Sequence, residues 1–91
     1  MSRAVLKWTV PVDDAPHKIG SGPVVLVACQ SSVDTVQVWT DELDVENVKM
    51  RSVQVYGTGH DLPLFDDHLG SVITAMGALV WHVYAQAEAL T

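Results

Sequence analysis

Residues 69–85 read LGSVITAMGALVWHVYA, and their spacing sets the fold class. Apolar residues recur with period two on both sides of Met76-Gly77, the pattern of two β-strands joined by a short turn. Methionine suits poorly the positive φ that a two-residue turn demands. A three-residue connection, Ala75 to Gly77, with Gly77 left-handed and a bulge beside it, is therefore expected. That register pairs Thr74 with Ala78, Val72 with Val80 and Gly70 with His82. It leaves Ile73, Leu79 and Trp81 on the opposite face. Opposite Gly70 the His82 ring has room and backbone carbonyls to bond, so Gly70, Gly77, Trp81 and His82 read as structural residues.

The same period runs outward through the chain. In AVLKWTV (4–10), Ala4, Leu6, Trp8 and Val10 share one face and Val5, Lys7 and Thr9 the other. HKI (17–19) reads as a short strand after the proline- and aspartate-rich PVDDAPHK. VVLVACQ (24–30) is apolar on both faces, as a central strand covered on both sides would be. TVQVWT and RSVQVYG alternate again, whereas GSGP, SSVDT, DELDVENVK and LPLFDD read as turns and loops. AQAEALT has helix-forming residues but is too short to be a stable helix alone. The expectation is an all-β chain of six or seven short strands, as a small antiparallel sandwich or a partly open barrel. It forms one domain over residues 1–91, with 85–91 as a C-terminal tail.

Composition narrows the classes. A hydrophobic share of 48% supports a folded core and excludes a disordered acidic tail. The single cysteine, Cys29, excludes an internal disulfide, and its apolar setting reads as a small buried side chain rather than a reactive thiol. Formal charge is −6 with five Lys and Arg scattered along the chain, so a nucleic-acid partner is not expected. No stretch approaches the about 18 apolar residues of a membrane helix, and the N-terminus lacks the apolar core of a signal peptide.

YGTGH (56–60) is the sharpest motif. A nucleotide loop needs a Gly-Lys-Ser/Thr ending or a third glycine, with a helix to follow. Neither is present, so a turn using Gly57 and Gly59 is the simpler reading, with an anion-binding nest of Gly57, Thr58, Gly59 and His60 as its alternative. His60, His68 and an aspartate are acceptable zinc ligands in kind, but their spacing matches no zinc motif, and no metal or cofactor is expected. Asp13-Asp14 and Asp66-Asp67 suit turns better than acid–base catalysis. Three tryptophans and two tyrosines exceed what a domain this size buries. Trp81 is assigned to the core, and Trp8, Trp39 and Tyr56 are the candidate binding aromatics, with Trp8 and Trp39 as an exposed pair.

KWTVPVDDAPHKI, GTGH, HLGSV and VWHVY, in that order and spacing, resemble a family of short proteins encoded mainly by tailed bacteriophages, especially those of actinobacteria, and by prophage-bearing bacteria. The resemblance runs from Leu6 to Tyr84. It rests on Lys7-Trp8, Pro11 to Asp13, His17 to Ile19, Trp39, Gly57 to His60, Gly70 to Val72 and Val80 to His82. This chain departs from the family in carrying His68-Leu69 where an aromatic usually precedes Gly-Ser/Thr-Val. The resemblance implies a phage origin and no evident enzyme, and it brings no functional residues with it.

The expected function is accordingly binding without catalysis. The leading reading is a bacteriophage accessory protein acting as a protein-interaction module inside the infected bacterium, on a host or phage protein and as a homo-oligomer. Two alternatives stand beside it. One is an oligomeric binder that sequesters a nucleotide-like anion, and the other is a virion or capsid decoration protein.

Overall fold

The period-two segments form β1 (Ala4–Pro11), β2 (His17–Gly20), β3 (Val24–Ala28), β4 (Thr35–Glu42), β5 (Met50–Gly57), β6 (Asp67–Ile73) and β7 (Val80–Ala85). The computed structural model describes residues 2–29, 34–64, 66–74, 77 and 79–86. All described pairings are antiparallel. One sheet has the order β1-β4-β3 and the other β2-β5-β7-β6, together forming a small open sandwich.

The core follows from the alternation. Val10, Val36 and Val38 of the first sheet face Ile19, Val53, Val55, Val83 and Ala85 of the second, and all are buried. These are mostly β-branched side chains, which lose little on being held in extended backbone. Trp8, Val27, Leu69 and Trp81 pack around them. The Trp8 indole N–H donates to Thr40 Oγ1 at 2.8 Å, so neither buried polar group is left unpaired.

The sheets touch most closely at their edges, where glycine removes a side chain. A Cβ on Gly70 of β6 would lie 2.6 Å from Val27 Cγ2 of β3. A Cβ on Gly20 of β2 would lie 2.9 Å from Trp8 Cζ2 of β1.

Three expectations change. First, the β6–β7 register is one residue off the expected one. Val72 pairs with Trp81, Ile73 with Val80, Ser71 with His82 and Gly70 with Val83. Thr74 takes Leu79 as its backbone partner, N–H to O at 2.9 Å, and its Oγ1 accepts the Leu79 N–H at 3.3 Å. The connection therefore spans four residues rather than three; Ala75, Met76 and Ala78 lie outside the described residues, and Gly77 has φ +68°. A one-residue slip exchanges the faces, so His82 stands opposite Ser71 instead of Gly70, and Ile73 is parted from Trp81 and exposed.

Second, β3 is an edge strand and not a central one. Its register slips between Val24 and Leu26, and Val25 and Leu26 are 54% and 53% exposed. An apolar run can thus lie at a sheet edge when a bulge turns its side chains outward. Third, Trp8 and Trp39 fall on opposite faces of their sheet. Trp8 pairs with Val38 on the inner side and Trp39 with Lys7 on the outer. They lie on two paired strands, so only the register places them. The tail from residue 87 onward lies outside the described residues.

Candidate functional site

The outer face of the four-stranded sheet gathers the most chemistry. On β7 the inward set is Trp81, Val83 and Ala85, which turns His82 and Tyr84 outward. Gln54 and Tyr56 of β5 stand opposite Tyr84 and His82. On β6 a register shift between His68 and Gly70 resets the alternation, so His68 and Ser71 share this face at a spacing of three. The same bulge turns Leu69 onto the core.

These side chains form one hydrogen-bonded line. His68 Nε2 lies 2.8 Å from Ser71 Oγ, Ser71 Oγ lies 2.7 Å from His82 Nδ1, and His82 Nε2 lies 2.9 Å from Thr58 Oγ1. The pairing alternation explains the short central contact. Thr74 N–H makes a ladder bond to Leu79 O, so three steps of alternation make Ser71 and His82 a non-hydrogen-bonded pair, in which side chains approach closest.

The line has two consistent proton directions. In one, Thr58 donates to His82, His82 Nδ1–H donates to Ser71, and Ser71 donates to His68. In the other every donor and acceptor is reversed. Aromatic contacts hold its flank. The Tyr84 ring lies 5.1 Å from the His68 ring and 5.8 Å from that of Tyr56, the latter nearly edge-on at 82°. Burial, and then the nearby Asp66 charge, push the Tyr56 hydroxyl upward, so it stays a neutral donor.

Ser71 beside an imidazole suggests a nucleophile and its base. Among the described residues the second ring nitrogen of His82 meets the Thr58 hydroxyl, where a catalytic base would take a carboxylate to stabilise its imidazolium. What the arrangement does offer is a pre-ordered set of donors, acceptors and ring faces on a rigid sheet.

YGTGH closes on itself. His60 N–H donates to Gly57 O at 3.2 Å, and Gly59 at φ +89° supplies the positive φ a type II turn needs at its third position. Gly57 N–H donates to His60 Nδ1 at 3.3 Å. Two of the N–H groups that would line an anion nest are therefore already engaged. Thr58 joins the turn to the His82 line, and a shallow groove of about 390 Å³ separates Thr58 and His60 from Leu79, Val80 and Trp81.

The remaining candidates lie elsewhere. Trp39 is half-buried on the outer face of the three-stranded sheet, with Lys7 Nζ 5.6 Å above its ring. Asp13 accepts from His17 Nε2 at 2.8 Å, while Asp67 faces Arg51 at 3.9 Å. The His17 contact holds the Asp13 carboxyl below its usual range. Cys29 Sγ donates to Thr35 O at 3.2 Å. His60 and His68 are committed to different partners, and among the described residues no three His, Cys, Asp or Glu side chains are placed to hold a metal ion.

The alternation sets Tyr56 beside Gln54 on one side of β5 but does not group Ser71, His68 and Tyr84 with it, and His82, expected as a structural ring opposite Gly70, faces outward into this group. The bulge at Leu69 hides that grouping from a period-two count. Neither the curated proteins nor the solved structures compared with this chain include a match. A family model described as a domain of unknown function (DUF7352) matches residues 1–90, essentially the whole chain, and the protein belongs to that family.

Proposed function

We propose that this chain is a bacteriophage accessory protein that works without catalysis, as a protein-interaction module inside the infected bacterium. Its origin rests on the resemblance of the GTGH, GSV and VWH segments to phage-encoded proteins. The observation that carries the binding role is the outer face of β2-β5-β7-β6. There Tyr56, Tyr84, His68 and His82 stand together, ordered by the Ser71 and Thr58 hydroxyls. Side chains held before contact lose little entropy on binding, and tyrosine with histidine supplies both ring area and hydrogen bonds.

Self-association belongs to the other sheet. Val5 and Leu26, each 53% exposed, flank Trp39 on the outer face of β1-β4-β3, and a second copy laid there covers them. The anion-sequestering alternative has less behind it. Lys7 lies over Trp39 and Arg51 faces Asp67, so these cations do not gather at the Gly57–His60 turn.

The test is affinity capture from lysate of the infected host with the wild-type chain, Tyr84→Ala and Leu26→Ser. One enriched protein retained by Leu26→Ser and lost by Tyr84→Ala is the expected result, and its identity separates a host target from a virion component. Equal capture by all three chains would remove the tyrosine–histidine face from consideration.

A further inference from the structure

We propose that the open end of the sandwich beside Glu42 binds a primary alkylammonium group. Glu42 ends β4 on the inner side of its sheet and is 5% exposed. Its Oε2 accepts the Gly22 N–H at 3.0 Å, and among the described residues no hydrogen bond reaches its Oε1. A carboxylate withdrawn from water with one N–H partner is an uncommon choice for a buried position, where an apolar residue leaves no polar atom to satisfy. The neighbouring chain is shaped around this group. A Cβ on Gly20 would collide with Oε2, and one on Gly22 would stand 2.8 Å from it.

A cavity of about 430 Å³ opens at this point, lined by Glu42, Asp44, Asn47, Lys49, Leu43 and Pro23. Asp41 also borders it, but Arg3 holds both its oxygens at 2.8 and 2.6 Å. Glu42 and Asp44 outweigh Lys49, so the lining is net negative. A hard metal ion needs six or more oxygens, and no three acidic, histidine or cysteine side chains converge among the described residues. An ammonium needs fewer. It carries three N–H donors, and the lining offers acceptors in Glu42, Asn47 and Asp44, whose Oδ1 also takes the Glu46 N–H at 3.2 Å, while Leu43 and Pro23 supply an apolar shelf for its methylenes. This site lies on other elements than the tyrosine–histidine face and does not depend on that reading.

The experiment is an NMR titration of the ¹⁵N-labelled protein at constant ionic strength. Its probes are n-butylammonium and butyltrimethylammonium, which has the same charge and chain but no N–H. The expected result is a saturable shift of the Gly22 amide with the primary ammonium, and binding at least about tenfold weaker for the trimethyl compound, the worth of a charge-assisted hydrogen bond. Glu42→Gln, which keeps an acceptor for Gly22, weakens the primary ammonium by a similar factor. Equal response to both cations, no saturation, or unchanged binding by a folded Glu42→Gln would overturn the proposal. Should Glu42→Gln not fold, the two-cation comparison on the wild type decides alone. A further arm with Nα-acetyl-lysine methylamide assigns the source. Binding points to a lysine side chain of another protein, and exclusion points to a free amine; both uphold the ammonium site.

Discussion

Oγ of Ser71 lies 2.7 Å from Nδ1 of His82, across the one strand pair whose register the local sequence misplaces by a residue. The hydroxyl also meets His68, so a single oxygen sets the orientation of two rings on the exposed sheet face. Replacing it separates the network from the fold. Ser71→Ala is expected to lower the unfolding free energy by about 1 kcal/mol or less, the net worth of an exposed hydrogen bond. Long-range ¹H–¹⁵N spectra of the imidazoles will then show a changed tautomer ratio for His82. A His82 ring signal identical to wild type would mean that Ser71 does not hold it.

Gly70 tests the closeness of the sheets. Gly70→Ala places a methyl 2.6 Å from Val27 Cγ2 and is expected to cost about 1–3 kcal/mol by overpacking. Combining it with Val27→Ala recovers part of that loss, which a double-mutant cycle in urea will read as favourable coupling. Strict additivity would place Val27 away from Gly70.

The turn at Gly57–His60 allows a test of strain without collision. A Cβ on Gly59 meets nothing within 4 Å, yet φ is +89°. Gly59→Ala is therefore expected to destabilise by about 1 kcal/mol through backbone conformation alone. Gly59→Asn, which tolerates this region better, is expected to lose less in the same urea titration.

Acid sensitivity has two identifiable sources. The His17 hydrogen bond lowers the Asp13 carboxyl from its ordinary value, and the Arg3 hydrogen bond lowers that of Asp41. A carboxyl lowered in the folded state contributes stability that is fully present above its unfolded pKa. That contribution is lost as pH falls through the lower folded value, so the window lies below about pH 4. Thermal melts of Asp13→Asn and Asp41→Asn are expected to show a shallower loss of Tm there than wild type. Parallel curves would remove these two pairs as the cause.

Period two and turn chemistry are local properties, and they were enough to locate the strands. Val53 and Val55 alternate with half-buried Gln54 and Tyr56 because one side of β5 meets the core and the other solvent, and Val36 and Val38 keep the same period although Gln37 between them is buried too. DELDVENVK lacks either period; its first two residues, expected in a loop, extend β4, and the rest forms the connection to β5. Fold class and strand positions were therefore legible in the amino-acid sequence. Pairing was not, because register depends on contacts between residues far apart in the chain. The one-residue slip that brings Ser71 to His82 and the bulge that brings His68 to Ser71 arise from strands settling against a shared core. The exposure of Val25 and Leu26 reflects the edge place of β3, which composition does not encode. Glu42 is the clearest case: a polar residue at a strand end reads as solvated, and only the approach of Gly20 and Gly22 from another segment encloses it.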